Sequence, residues 1–551
     1  MIPLHKKMKI LWLDINSSYS HSSLAIPALD AQLSKSLREQ HDWKLLSGSL
    51  KTNPELYINQ ILEFCPEIIL STAWLYNHML LKEVLTKVNA LRPQIRVVLG
   101  GPEFLGDNSI YLKENRYVQA LFKGEGEEIY PRFIELIDNP NECYNLNGFC
   151  YLNKDGAYID NEEAIVSNFT ALTPPEKSYF FNWEKPFVQI ETSRGCFNKC
   201  AFCISGGVRK IEDIPEEFLR ERIINVYNKG IREVRILDRT FNASPKRALK
   251  LISIFNEFNH EIQFHLEIHP SLLNSELKEA IKTTPQGVLH FEAGVQSLQD
   301  IVLKSCDRYG DSQSTLEGIQ FLSETMTHEV HTDLIAGLPN YSYKQLIQDI
   351  KVLLNIFPDE IQLELLKLLP GTKLRNQAHS TGIKFSPLPP YEVLETPWIN
   401  YKELQLSVAL SRLLDIYYNH SIWQKSFTEI ALQNSNFLEE FARYFNEKNY
   451  THGLSREKKG EILWDFCSLY FKDALSLIAV TWMENGLSFH MGPGLLSKQW
   501  KFGDCMNNPV FQEDQKNNVY RYLEFPSRKH WFVYNRKTNN FKSISNFIEL
   551  M

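Results

Sequence analysis

From Lys9 onward, short apolar runs alternate with longer amphipathic stretches. The runs at 10–15, 43–48, 67–72, 96–99 and 120–122 are rich in apolar, often β-branched residues and predict strands. Helical periodicity between them predicts helices over 23–39, 54–64, 77–91 and 127–137. The runs are continuous rather than alternating, so both strand faces should be buried, which predicts a parallel, doubly wound sheet. Ligands of such sheets lie beyond the carboxyl ends of the strands. Turn residues collect at those ends: Ser17 and Ser18; Ser71 with Trp74, Leu75, Tyr76 and Asn77; Gly100, Gly101, Pro102 and Glu103; and Gly124, Glu125, Gly126 and Glu127. Paired glycines after a strand allow backbone to approach a bulky ligand closely.

A hairpin turning at Asp155 and Gly156 is predicted inside a stretch otherwise read as a linker. Beyond it the alternation resumes, with strands predicted over 233–237, 263–268, 288–292, 329–335 and 362–368, as a partial barrel of β/α units requires. A proline-rich boundary (Pro387, Pro389, Pro390) follows. Amphipathic helices are then predicted over 401–418, 423–433, 437–448 and 458–484, and strands over 519–525 and 531–535, with Trp482, Trp500 and Trp531 read as core. The fold class is α/β: an N-terminal doubly wound, Rossmann-like domain (1–140), a hairpin linker (141–185), a partial (β/α)6 TIM-type barrel (186–385) and a mostly α-helical C-terminal domain (386–551).

Chemistry concentrates at the start of the barrel. After the extended run 186–190, Cys196, Cys200 and Cys203 are spaced Cys-x3-Cys-x2-Cys. Three thiolates in a tight loop suit an iron–sulfur cluster and leave one iron of a [4Fe–4S] cube open to a small molecule. Zinc is the competing reading. A zinc site takes a fourth Cys or His at matching spacing, whereas Ile204, Ser205, Gly206, Gly207 and Val208 follow here.

The motif resembles that of the radical S-adenosylmethionine (radical SAM) enzymes, in which the open iron chelates the amino and carboxylate groups of SAM. The resemblance implies that Cys196, Cys200 and Cys203 hold the [4Fe–4S] cluster and that Phe202 packs near the adenine. It extends to Glu292, Gln296 and Ser297, similar to a ribose-holding motif of cobalamin-linked members, and to the segment from Asp333 through Ile335 to Pro339, which resembles the fifth-strand motif lying against adenine. Leu369, Pro370, Gly371 and Thr372 match the sixth-strand ending. Asp238 stands where the family often has Gly-Gly-Glu for the SAM amino group, a departure from the pattern. Glu267 on the third strand is a further SAM candidate, with an ion pair as its alternative, and Arg308 could pair with the SAM carboxylate through its planar fork. The N-terminal loops resemble the cobalamin-binding domain that precedes many radical SAM barrels. Ser17, Ser18, Ser71, Trp74, Leu75, Tyr76, Asn77, Gly100, Gly101, Pro102, Glu103, Gly124, Glu125, Gly126 and Glu127 are accordingly the cobalamin candidates. Neither His21 nor His78 fits the Asp-x-His-x-x-Gly pattern that supplies a cobalt ligand, so cobalamin is expected in a His-off state, its lower face covered by the 74–76 loop. Loss of cobalamin altogether is the opposing possibility.

What this resemblance implies is reductive cleavage of SAM to a 5′-deoxyadenosyl radical and, with cobalamin, C-methylation of an unactivated carbon, one SAM methylating cobalt and a second supplying the radical. Radical cyclisation, ring contraction or another rearrangement is the alternative, and a non-catalytic cobalamin sensor or carrier is the alternative of another class. Methylthiotransferases acting on tRNA carry three further cluster cysteines in their amino-terminal domain. Only Cys65, Cys143 and Cys150, widely separated, precede Cys196 here, which argues against that activity. The implied partners are an electron donor such as flavodoxin or ferredoxin and an organic substrate of unassigned identity. A net charge of −7 over 551 residues has the wrong sign for a general polyanion binder and argues against a nucleic-acid partner. Scattered remaining cysteines, no signal-peptide core and no apolar run of about 18 residues predict a reduced, cytoplasmic compartment, low in oxygen if the cluster is exposed.

Overall fold

The computed structural model describes residues 7–21, 23–206, 209–258, 261–450 and 453–487, and the segments 500–502, 518–524, 529–538 and 540–544. The chain divides into two compact units. One comprises Met1–Glu329, Gly337–Asn340 and Leu366–Trp398, the other Val330–Ala336, Tyr341–Leu365 and Ile399–Met551.

The first unit opens with seven strands: β1 (Lys9–Asn16), β2 (Asp42–Ser49), β3 (Ile68–Thr72), β4 (Arg96–Gly100), β5 (Val118–Phe122), β6 (Phe149–Leu152) and β7 (Tyr158–Asp160). They form one sheet in the order β2-β1-β3-β4-β5-β6-β7. The first five are parallel, with a switch between β1 and β3, from which the chain winds in both directions. Successive residues feed opposite cores. Leu11, Leu13, Ile69, Val97 and Leu121 pack on one face, whereas Ile10, Trp12, Leu70, Val98 and Ala120 pack on the other. This accounts for the unbroken apolar runs. The hairpin expected in the linker instead adds β6 and β7 antiparallel to the edge of this sheet.

Two helices differ from expectation. The stretch 23–39 is broken into Ala25–Asp30 and Lys35–Glu39, because the Ser34 side chain caps the second by accepting from Leu37 N. The buried Asp30 carboxylate meanwhile holds Arg38 at 2.5 Å and accepts from the Ser178 hydroxyl. The stretch 127–137 shortens to Tyr130–Glu135, since Gly126 O accepts from both Ile129 N and Tyr130 N in a turn.

The same unit carries β8 (Val188–Ile190), a short pair β9 (Ser193–Arg194) and β10 (Glu212–Asp213), and then β11 (Glu233–Ile236), β12 (Gln263–Ile268) and β13 (Leu289–Gln296). β8, β11, β12 and β13 pair in parallel in that order. Along β12 and β13 one face is fully buried. The other, half-buried face presents His265 and Glu267, then His290, Glu292, Gly294 and Gln296. The segment from Glu292 to Gln296 therefore lies inside β13 rather than after it.

In the second unit β14 (Glu329–Ala336) and β15 (Glu360–Leu365) pair in parallel, and helices follow over Tyr401–Leu413, Gln424–Gln433, Phe437–Glu447, Arg456–Tyr470 and Leu475–Glu484. The expected single helix over 458–484 is interrupted at Phe471, which leaves helical geometry (φ −138°, ψ 59°) with its ring against Phe437 and Phe466. Trp482 is buried beside Trp423, in keeping with a core role. The side chains of Trp500 and Trp531 lie outside the described residues. The terminal strands form a four-stranded antiparallel sheet.

Candidate functional site

The cysteine loop has almost no regular structure, so its shape depends on side chains that hold it from beneath and beyond. Asp238, just past β11, is 2% exposed. Its carboxylate accepts from Thr192 N at 2.7 Å, Ser193 N at 2.8 Å and the Thr192 hydroxyl. Asp238 is thus spent beneath the loop rather than offered to SAM, because a buried carboxylate must find donors and the entering backbone supplies them. Gly195 follows at φ +106°, where a Cβ would lie 2.7 Å from Lys210 O. On the far side Ala201 N donates to Cys306 O at 2.8 Å, Ala201 O accepts from Leu374 N at 2.8 Å, and Asn198 Oδ1 accepts from Tyr309 N at 3.0 Å. A Cβ on Gly206 would sit 2.6 Å from Cys200 O, so the loop closes tightly on itself.

Cys200 is buried, and Cys196 and Cys203 are half-buried. Burial pushes the Cys200 thiol up, and the Arg308 guanidinium, 3.7 Å from its sulfur, opposes that rise. Arg308 also donates to Gly294 O at 2.5 Å. Its charge therefore sits beside the Cys200 sulfur. Gly294 permits the arrangement, since a Cβ there would meet Gln296 Nε2 at 2.8 Å. Gln296 adopts φ +66°, and the Ser297 hydroxyl accepts from Gln299 N to close the turn. Phe202 is half-buried in the loop.

Glu292 Oε2 lies 2.9 Å from His265 Nε2. Glu267, its register neighbour on β12, is raised to about 7 by burial first and by Glu292 among the charged neighbours, with Arg239 acting against the rise. His269 bonds Tyr309 O and Ser271, a structural role. Asp333 and Ile335 lie on β14 in the second unit.

The N-terminal loops enclose a cavity of about 410 Å³, a size typical of ligand sites. Of the fifteen N-terminal candidates, Ser71, Trp74, Gly100, Gly101, Pro102, Gly124, Glu125, Gly126 and Glu127 line it. Gly101 (φ +108°) and Gly124 (φ +92°) back directly onto Ala73 O and Ala164 O, where a Cβ would stand 2.5 and 2.1 Å away. Only glycine allows the chain to make this cradle. Gly195, Ile204 and Ser205 of the cysteine loop line the same cavity.

The other six candidates do not line it. Asn77 is 2% exposed and is consumed by Trp74 N, Ile15 O and Thr72 O, which shapes the 74–77 turn. Ser18 bonds His21 Nδ1 at 2.7 Å beside Ser17, Leu75 follows Trp74 outside the lining, and Tyr76 stacks with Trp74. Glu103 is buried against His78, 3.8 Å away, with Tyr391 and Arg375 among the groups that act on it. Burial holds His78 down at about 4, so its imidazole is neutral.

Arg194 and Arg209 were not foreseen, although the first stands two residues before Cys196. Arg194 meets Glu127 at 2.9 Å, Glu191 at 2.5 Å and the face of Phe169, while Arg209 meets Glu125 at 2.5 Å and pairs with Glu212. Burial drives Glu127 upward and Arg194 opposes it. This ionic lattice joins the glycine loops to the cysteine loop along the cavity wall, which Arg239 also lines.

Residues 190–353 match the radical SAM superfamily. The chain carries a radical SAM domain. Residues 379–502 match a family described as protein of unknown function, DUF4080. The chain is 23% identical over 368 residues to an uncharacterized methyltransferase, PH0819, of Pyrococcus horikoshii, covering 64% of this chain and 78% of that protein. It is 30% identical to a tRNA-2-methylthio-N(6)-dimethylallyladenosine synthase of Desulfosudis oleivorans over 37% of this chain and 44% of that one. Among solved structures its fold is similar to the radical SAM methyltransferase TsrM of Kitasatospora setae (TM-score 0.54, 14% identity, covering 71% and 81%). It is also similar to the cobalamin-dependent SAM radical enzyme OxsB (TM-score 0.61, 13% identity, covering 88% and 81%). No helix among the described residues is long and apolar enough to cross a membrane.

Two measurements check this geometry. Asp238→Asn removes an acceptor charge that serves three donors, each such bond worth about 1.5–3 kcal/mol. Iron and sulfide bound per chain after anaerobic reconstitution should fall several-fold while far-UV circular dichroism stays unchanged. For Glu267, a carboxyl held up to about 7 in the fold costs stability progressively as pH rises from its ordinary value to about 7, and no further above. In urea titrations without SAM, Glu267→Gln should match the wild type at pH 4 and exceed its stability at pH 8.

Proposed function

We propose that the chain is a cobalamin-dependent radical SAM methyltransferase acting on an unactivated carbon of an organic substrate. The observation that carries this reading is the single cavity lined both by the glycine loops of the N-terminal sheet and by Gly195, Ile204 and Ser205 of the cysteine loop. The residues fit the groups concerned. The cradle at Gly101 and Gly124 presents bare backbone, and Leu70, Val98, Phe122 and Tyr130 supply apolar walls of the kind a corrin edge would meet. Among the described lining residues there is no histidine, and His78 is neutral and buried elsewhere. This supports the His-off reading, and Trp74 in the cavity wall would help to hold the group. Cys196, Cys200 and Cys203 would hold the cluster, leaving its fourth iron for SAM.

When bound, the cluster supplies the electron that cleaves SAM and cobalamin supplies methyl-transfer chemistry; an external donor of the flavodoxin or ferredoxin kind provides the electron. The protein's own contribution is to aim these groups and exclude water. Arg308 keeps positive charge beside Cys200, Asp238 fixes the loop, and the Arg194 and Arg209 pairs hold the two cofactor loops together. Glu267, Glu292 and Gln296, on one half-buried strand face, would serve SAM binding. The cellular setting that suits this chemistry is reduced and cytoplasmic.

Anaerobically loaded enzyme given SAM and a strong reductant should form 5′-deoxyadenosine and, with a methyl acceptor, an equivalent of S-adenosylhomocysteine. Cys196→Ala, Cys200→Ala and Cys203→Ala should each abolish the deoxyadenosine. Deoxyadenosine without adenosylhomocysteine during substrate turnover would favour rearrangement, and intact cobalamin binding with no SAM cleavage would contradict an enzyme of this type.

A further inference from the structure

The strongest cluster of metal-ligating side chains outside the cavity lies in the second unit, at the amino-terminal ends of β14 and β15. Barrel enzymes place their chemistry at the opposite, carboxyl ends of their strands. His331 and Glu360 are register partners on these two strands. His331 Nδ1 stands 3.4 Å from Glu360 Oε2, and both side chains are nearly buried. His420 Nε2 contacts the other carboxylate oxygen from the solvent side, its own side chain 62% exposed. The three ligand atoms all lie within 4.8 Å of one another. Bonds of about 2.1 Å in a tetrahedral site separate ligand atoms by roughly 3.4 Å, which is the His331–Glu360 spacing.

Side-chain hydrogen bonds hold the frame around them. A π-helical turn, Leu414–Tyr418, ends the preceding helix; such turns recur at functional sites. Tyr418 donates to Pro358 O just before β15. The Asn419 carboxamide then clamps the strand itself, accepting from Ile361 N at 3.0 Å and donating to Ile361 O at 3.2 Å. His420 takes φ +47°, a left-handed conformation that few non-glycine residues adopt, and this turns its ring over Glu360. Glu360 O accepts from the Thr332 hydroxyl at 3.1 Å, so both strands are fixed on either side of the carboxylate.

We propose that His331, Glu360 and His420 form a binding site for a divalent cation of the zinc class, ligated by two imidazole nitrogens and one carboxylate oxygen, with a fourth position open to water. Two imidazoles and a carboxylate are a borderline donor set that favours Zn²⁺ over Mg²⁺ or Ca²⁺. The site clips the 414–420 corner to β15.

The test is a calorimetric titration of ZnCl₂ into the full-length, cluster-loaded enzyme, in which the three loop cysteines are already occupied. A single saturable equivalent of micromolar affinity or tighter is expected. It should weaken by at least about tenfold in His420→Ala, an exposed position that should not disturb folding, and similarly in Glu360→Gln. His379→Ala, also exposed, should bind as the wild type does. The same equivalent should appear in the protein lacking all three loop cysteines, read by Zn²⁺-dependent elevation of Tm that His420→Ala abolishes. No saturable binding, or equal affinity in wild type and His420→Ala, would overturn the site.

Discussion

The buried carboxylate of Asp238 is the constraint on which the rest of the site depends. It stands at the end of β11 and gathers two backbone amides and one hydroxyl from Thr192 and Ser193. In doing so it sets the direction in which the chain enters Gly195 and the cysteines. An ionised carboxyl taken this far from water is costly unless every donor is in place, so the turn above it has little freedom. From the other end, Cys306 O and Leu374 N hold Ala201. A loop without helix or strand is therefore held by hydrogen bonds at both ends.

The second consequence follows from the residues next to that turn. Arg194 cannot reach water easily, since it is enclosed by Glu127, Glu191 and Phe169. Breaking one member of such a buried set leaves an uncompensated charge, which costs far more than an exposed pair contributes. The Arg194 and Arg209 pairs thus fix the glycine loops of the N-terminal sheet against the cysteine loop, and the shared cavity is the space they leave. Glycines at 101 and 124 extend that space, because any side chain there would collide with backbone behind it.

Much of this was legible in the sequence, for identifiable reasons. Strands buried on both faces announce themselves as unbroken apolar runs, so β1, β3 and β4 were recognisable, as were the cysteine spacing and the glycine-rich turns. Side chains consumed by backbone were not. Asp238, Asn77 and Glu103 have the composition of ligand contacts, and only coordinates reveal that the first two satisfy amides and carbonyls while the third is buried beside His78. Arg308 has the right chemistry for a carboxylate, and its place beside Cys200 was not legible in the sequence. The break in 23–39 follows from the Ser34 cap, a local signal the periodicity reading passed over, whereas the contact of Asp30 with Ser178, which lies 148 residues away, is one no local pattern encodes. The split at Phe471 likewise answers to an aromatic cluster assembled from distant helices.

The central claim is that the cysteine loop and the glycine loops serve one reaction space. Anomalous scattering at the iron and cobalt edges, from crystals of enzyme loaded anaerobically with cluster, cobalamin and SAM, tests it most directly. The account predicts iron at Cys196, Cys200 and Cys203 and a single cobalt in the cavity bounded by Trp74, Gly101 and Gly124, with no histidine nitrogen at bonding distance. Cobalt bound elsewhere, or a fully loaded cluster with that cavity empty, would contradict it.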